Sequence, residues 1–194
     1  MGEETPLLIL VSGLPGTGKT SLARRIAAQF RIPCLGKDEL KEVLFDQLGT
    51  GDRAWSKKLS QASYAILFKV VEGVIAAGTS LVIEGNFPAG VAKGAVREMK
   101  DRIPFSIMEV NCVTDKEVLL HRYRERLKVG DRHPGHLDDE VYRELQDSLA
   151  LGEQGAVDLG GSVFTVDTTN LGEIDLHLVF EKIRSCIPYQ NDHH

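Results

Sequence analysis

The chain has 194 residues, 42% of them hydrophobic and 26% charged, with a formal net charge of −5. That length suits one α/β domain with its own core, and those proportions exclude collagen-like, mucin-like and disordered classes. Net negative charge speaks against a protein that coats long nucleic acid or an anionic membrane through a bulk positive field, though not against a local basic site.

The first apolar run, residues 7–12, follows Glu3 and Glu4 and is too short for a signal-peptide core or a membrane span, so a cytoplasmic protein with no membrane partner is expected. Bounded by turn residues, it reads as a strand buried on both faces. Directly after it stands Gly13-Leu14-Pro15-Gly16-Thr17-Gly18-Lys19-Thr20, a full match to GxxxxGK[ST], followed at once by an amphipathic helix over residues 21–30 with Leu22, Ile26 and Phe30 on one face. Glycines let backbone N–H groups close on phosphate oxygens, and the helix turns its positive end, beginning at Ser21, toward the same anion. Lys19 is expected on the β- and γ-phosphates of ATP and Thr20 on Mg²⁺.

A short strand at residues 32–35 leads into Lys37-Asp38-Glu39-Leu40-Lys41. In a doubly wound sheet the carboxyl ends of the strands share one crevice, which sets Asp38 beside the phosphate loop. There it accepts or orients the proton of an acceptor hydroxyl; the alternative is an N-cap for a helix carrying Leu40, Val43, Leu44 and Leu48. Lys41 is a candidate for a substrate anion or a solvated surface lysine. Trp55 reads as a core anchor before a helix whose apolar stripe is Ile66, Val70 and Val74. The next strand, 81–84, ends in Glu84-Gly85-Asn86, where Glu84 is a candidate for Mg²⁺ or substrate hydroxyls and Asn86 for substrate. Neither this segment nor Asn111–Asp115, after the strand at 107–112, carries the DxxG and NKxD signatures of a GTPase switch.

Residues 116–132 hold Lys116, Arg122, Arg124, Arg126, Lys128 and Arg132 against three acids. Arg122 and Arg126 share one helical face, offset from Leu119, Tyr123 and Leu127, and lead into an exposed Gly/Pro loop at 128–138 that carries Arg132, His133 and His136. Such a segment suits a lid over about 115–138 whose guanidinium forks bind phosphate. The two histidines lack a third ligand, so no metal site is expected. The acidic stretch 138–158 reads as a solvated helix face plus loop, containing the stripe Val141, Leu145 and Leu149. A last strand at 163–167 and a helix with Leu176, Val179 and Ile183 complete the alternation. Cys34, Cys112 and Cys186 have no metal or disulfide spacing and read as buried thiols; His193 and His194 are native or a tag remnant.

Strands alternating with helices predict a doubly wound three-layer α/β fold. Gly13 to Thr20, Asp38 to Lys41, the strand through Asn86, the Arg122/Arg126 pair and Asp167-Thr168-Thr169 together resemble P-loop kinases of the type that groups zeta toxins, chloramphenicol phosphotransferase-like enzymes and polynucleotide 5′-hydroxyl kinases, an AAA-type ATP-binding domain. The resemblance implies a nucleoside-monophosphate-kinase-like five-stranded parallel sheet, order 2-3-1-4-5, with a lid. It also implies ATP as donor, Mg²⁺, Asp38 as base, Arg122, Arg126 and Arg132 on phosphate, and Thr168 to Asn170 near adenine. The expected activity is phosphoryl transfer to a hydroxyl of a small molecule or nucleotide by one kinase domain spanning 1–194, with substrate helices over about 38–79. A polynucleotide 5′-hydroxyl kinase and a non-catalytic nucleotide-binding module are the rival readings.

Overall fold

The computed structural model describes residues 5–130, 132–150 and 155–187. Five parallel strands, β1 (Leu7–Gly13), β2 (Cys34–Gly36), β3 (Leu81–Glu84), β4 (Ser106–Val113) and β5 (Ser162–Asp167), form one sheet in the order β2-β3-β1-β4-β5. Between and after them run α1 (Lys19–Phe30), α2 (Lys37–Leu48), α3 (Arg53–Ala76), α4 (Ala89–Lys100), α5 (Lys116–Val129), α6 (Asp138–Ala150) and α7 (Leu176–Arg184). Fold class and strand order are those expected of a P-loop kinase.

Two-residue alternation along β1 divides the core between the faces of the sheet. Leu8 and Leu10 pack with Tyr64, Leu67, Phe68, Val71 and Ile75 of α3 and with Ala92, Val96 and Met99 of α4. Leu7, Ile9 and Val11 pack on the other side with Leu22, Ala23 and Ile26 of α1 and Val179 and Ile183 of α7. Full burial contributes about 1.5–3 kcal/mol for each large aliphatic side chain, so β1 is the best-anchored strand and a rigid base for the loop that follows it. A third, smaller cluster, Leu119 and Tyr123 of α5 with Leu145 and Leu149 of α6, stands apart from the sheet.

Several local expectations change. The edge strand β5 is largely exposed rather than buried on both faces, and β2 is half-buried, because an edge strand has one neighbour and less helix cover. On α3 the stripe one residue along is the buried one: Leu67 and Val71 are 0% exposed while Ile66 and Val70 are 40% and 39% exposed. The helix is apolar on much of its circumference, so periodicity finds a stripe without choosing the one that faces the sheet. Likewise on α2 the buried apolar residue is Phe45, with Val43 and Leu48 exposed. Helix α4 was unexpected; Gly90 and Gly94 weaken its propensity and small residues dilute its stripe. By length and composition α3 is apolar enough to cross a membrane, but its Leu67, Val71 and Ile75 are buried against the sheet. Cys112 is buried and Cys34 and Cys186 half-buried, all as free thiols. His193 and His194 lie outside the described residues.

Candidate active site

Strand register brings the chemistry together. Val11 and Gly36 both pair with Glu84, so the carboxyl ends of β1, β2 and β3 open onto one edge of the sheet. From that edge start the phosphate loop, the first turn of α2 and the Glu84 turn, and they line a single cavity of about 670 Å³.

The loop Gly13 to Thr20 is shaped by close approaches. Gly13, at φ +144°, leaves no room for a side chain: a Cβ would sit 2.6 Å from the Cys112 carbonyl oxygen. Gly18, at φ +82°, caps α1, and a Cβ there would meet Leu171 at 2.8 Å. Thr17 is buried and donates from Oγ1 to the Leu14 carbonyl, 2.9 Å, holding the loop's curve. Leu14, Pro15, Gly16, Gly18, Lys19 and Thr20 line the cavity. Lys19 is buried and its Nζ donates to the carbonyl of Leu14 at 3.4 Å. Burial holds its pKa below the ordinary lysine value, against the opposing pull of Glu84 and Asp38. Ser21, expected at the nucleotide, is exposed on α1 outside the cavity lining, so its side chain is corrected out of that role. Thr20 Oγ1 donates to Glu84 Oε2 at 2.6 Å. A hydroxyl and a carboxylate set side by side at the loop's end are the hard oxygen donors that suit Mg²⁺.

Across the cavity, Asp38 falls in the first turn of α2, where Gly36 occupies the N-cap position. Its oxygens bond side chains rather than helix N–H groups: Lys37 Nζ at 2.8 Å and Arg132 Nη2. Burial opposes ionisation, but Lys37 and Arg132 outweigh it and hold the carboxyl far below its ordinary range. Capping is therefore not what this aspartate does. Lys41 is not a solvated surface lysine. It is buried, donates to Ser56 Oγ at 2.9 Å and lies over the Phe45 ring, while Ser56 Oγ donates to the Gly135 carbonyl at 2.9 Å. Lys41 lines the cavity, yet its nitrogen is committed to tying α2 through α3 to the lid; burial lowers its pKa to about 8. Asn86 lines the cavity, and its carbonyl accepts from Tyr64 Oη. Trp55, expected in the core, is half-buried and donates from Nε1 to the Gly49 carbonyl at 2.9 Å, closing the turn before α3.

The basic segment folds over this cavity. Arg122 and Arg126 both line it, as their shared helical face implied. Arg122 forks onto the carbonyls of Thr168 and Thr169 at 2.9 and 2.7 Å. Arg126 lies 4.1 Å over the Tyr123 ring with its Nη2 3.9 Å from Asp138 Oδ1, an ion pair too long for a hydrogen bond; its buried Nε and Nη2 have no hydrogen-bond partner among the described residues. Buried unpaired donors are costly, and a phosphate oxygen would satisfy them. Arg132 joins Asp38 of α2 to Asp138 of α6, the latter at 2.6 Å. Thr168, expected near adenine, has its side chain fully buried, bonded to the Val113 carbonyl and Thr114 Oγ1, while Asn170 in the same loop is exposed.

Of the loop expected to be exposed, residues 132–137 are docked, while Lys128, Val129 and Gly130 are exposed. Pro134–His136 form a 3-10 turn, His133 stacks on Phe45 at 5.0 Å, and a Cβ on Gly135 would strike the same ring at 2.7 Å. His136 is 3% exposed and contacts Glu42 Oε1 through Nε2 at 2.8 Å. Burial, helped by Arg132, pushes its pKa down to about 3, so it sits neutral. A histidine neutral when folded and ordinary when unfolded stabilises above pH 6.5 and loses that contribution as pH falls from 6.5 toward 3. Glu42, raised by burial, takes up its proton earlier than normal and offsets part of the loss lower in that window. A fall in denaturant midpoint is therefore expected to set in as pH drops through 6.5, above the carboxylate range, and His136→Gln is expected to flatten that part of the profile.

The acidic stretch is likewise more than a solvated face. Asp138 binds Arg132 and Tyr123, and Glu144 binds Arg53 and Lys57 of α3. Sequence reasoning missed Lys37, Arg53, Lys57, Tyr64 and Glu144, all of which line the cavity. Only the i, i+4 spacing of Arg53 and Lys57 offered a signal. Another missed residue, buried Glu109 on β4, accepts from the N–H groups of Val157 and Asp158 at 2.6 and 2.9 Å and pins the segment before β5.

The profile of a family described as an AAA domain matches residues 8–151. The chain belongs to that family. This AAA domain is a P-loop kinase domain, and known structures agree. A provisionally assigned kinase from Chloroflexus aurantiacus is 35% identical, with 95% of this chain and 100% of that one covered at a TM-score of 0.88. A gluconokinase from Sinorhizobium meliloti, 15% identical, shares the fold at a TM-score of 0.57 over 94% of this chain and 95% of its own. The cytidylate kinase of Pyrobaculum calidifontis is 22% identical over 175 residues, 89% of this AAA domain's chain and 83% of its own.

Proposed function

We propose that this protein, acting in the cytoplasm, transfers the γ-phosphoryl group of ATP, with Mg²⁺, to a hydroxyl of a small molecule or nucleotide. The observation that carries the reading is one cavity lined on one side by Lys19, Thr20 and Glu84 and on the other by Asp38, with Arg122, Arg126 and Arg132 above. Donor and acceptor held in such a site react as if at high effective concentration, and positioning plus charge stabilisation supply most of the rate.

Each side chain then has a task. Lys19 bonds the phosphates, and Nε and Nη2 of Arg126, which make no hydrogen bond among the described residues, meet charge on the moving phosphoryl group. Thr20 and Glu84 hold Mg²⁺, which supplies neutralisation of phosphate charge. Asp38, kept as a carboxylate by Lys37 and Arg132, accepts the hydrogen bond of the acceptor hydroxyl and aims its lone pair at phosphorus. The acceptor O–P bond forms as the bond from phosphorus to the bridging oxygen of the ADP leaving group breaks. The hydroxyl proton passes to Asp38 or to the transferred phosphoryl group. We assign α2 and α3 to the acceptor wall and 115–138 to the lid, with α6 as its outer half, within one domain.

The test is transfer of label from γ-labelled ATP to a panel of hydroxyl-bearing metabolites, nucleosides and nucleotides. Labelling of a panel member at the expense of ATP is the expected result. Labelling confined to 5′-hydroxyl oligonucleotides would move the assignment to polynucleotide ends. Tight ATP binding with no transfer to any acceptor would favour the non-catalytic module.

A further inference from the structure

Two cations of α3 meet one carboxylate of the lid inside the cavity. Arg53 reaches both oxygens of Glu144, its Nε donating to Oε1 at 3.1 Å and its Nη2 to Oε2, while Lys57 Nζ lies 2.9 Å from Oε1. All three residues line the same cavity as Asp38. An α-helix puts positions four apart on one face, so Arg53 and Lys57 present a fork and an ammonium to a single point. One carboxylate leaves that pair with an excess positive charge. The other lysines near Asp38 are already engaged, Lys37 with Asp38 itself and Lys41 with Ser56.

From this geometry we infer that the acceptor bears an anionic group, a carboxylate or a phosphate, which binds Arg53 and Lys57 in the place Glu144 now takes. The inference rests on the kinase reading and narrows its substrate class. The Glu144 carboxylate shows that the pair accepts two oxygens of one planar anion, with the guanidinium fork across both. Side-chain exposures of 23% for Arg53 and 59% for Lys57 leave the pair open to exchange one anion for another. Donor phosphates are accounted for elsewhere, at Lys19 and the lid arginines, so this pair is free for the acceptor. Exchange also has a mechanical consequence. Glu144 lies on α6, so a substrate anion that displaces it releases one lid contact while making its own bond to α3, and Arg132 keeps the lid tied to Asp38.

The test uses the full chain with a non-hydrolysable ATP analogue and Mg²⁺ at saturation, so that the phosphate loop is filled, and titrates inorganic phosphate and, separately, malonate by calorimetry. Expected is saturable binding of at least one of these anions, weakened about tenfold or more in Arg53→Ala/Lys57→Ala and tightened severalfold in Glu144→Gln, where the competing charge is gone. Phosphate alone binding points to a phosphorylated acceptor and malonate alone to a carboxylate. Lys57→Ala, which keeps the Arg53 fork on Glu144, is the milder variant and is expected to fall between. Absence of binding by either anion to wild type and Glu144→Gln overturns the inference and leaves the contact as a lid clasp. Undiminished binding in the double variant overturns it too. The nucleotide titration that precedes each experiment reads the kinase assignment separately: failure there sinks the proposed function, whereas normal nucleotide binding with no anion binding sinks only the acceptor subsite.

Discussion

Lys19→Ala is expected to reduce phosphoryl transfer by about 10³-fold or more while leaving the fold at least as stable as wild type. The two halves of that result have one cause. Lys19 is buried, its ammonium donates only a long 3.4 Å bond to the Leu14 carbonyl, and burial depresses its pKa. A desolvated cation with an incomplete shell costs folding energy that the loop's own groups do not return. Its return comes when phosphate oxygens complete the shell, most of all as charge builds during transfer. Alanine therefore removes transition-state stabilisation together with a folding cost, the trade expected where stability and function compete. The checks are turnover, thermal midpoint without nucleotide, and the midpoint gain on adding ATP and Mg²⁺. Ligand-dependent stabilisation should shrink in the variant. A large drop in the nucleotide-free midpoint would show that Lys19 holds the loop together instead.

Asp38→Asn is expected to lower transfer by about 10²- to 10⁴-fold with ATP affinity nearly unchanged. The amide still accepts a hydrogen bond from Arg132, but it no longer carries the charge that Lys37 and Arg132 face, nor can it draw the acceptor proton. Because the carboxyl is held so far below its ordinary range, the wild-type rate should not fall with Asp38 protonation anywhere near neutral pH. His136 does not titrate near neutral pH in the folded protein either, since burial holds its pKa at about 3; acidification below pH 6.5 lowers stability through it, not the rate of the folded enzyme. Two readouts separate the residues: Asp38→Asn keeps the wild-type pH profile of rate at a lower level, whereas His136→Gln flattens the fall in denaturant midpoint below pH 6.5. Full transfer rates in Asp38→Asn with the true acceptor would remove Asp38 from the mechanism.

Much of this was legible in the chain because it depends on neighbours in sequence. The phosphate loop is eight consecutive residues between a strand and a helix, and its chemistry lies largely in backbone N–H groups that glycines allow to converge. The same holds for the order of elements: apolar runs of strand length alternating with helical stripes admit few topologies once crossovers are right-handed. Arg122 and Arg126 were readable as a pair for the same reason, since four residues along a helix is a local relation. Where local pattern was degenerate it misled. On α3 two apolar stripes differ by one residue, and only the sheet decides that Leu67 and Val71 face inward while Ile66 and Val70 do not.

Sequence by itself determined the fold class, the nucleotide loop and the candidates Lys19, Asp38 and Glu84, because each is written in short-range order that any right-handed α/β chain must obey. Tertiary structure alone decided which charged side chains of α2, α3, α6 and the segment after α5 meet. Arg132 meets Asp38 across 94 positions of sequence and Arg53 meets Glu144 across 91. Lys41 is held by Ser56 of α3, and His136 loses its charge because its own segment is docked on Phe45. A charge's partner and its desolvation are properties of packing, and no spacing in the chain encodes them.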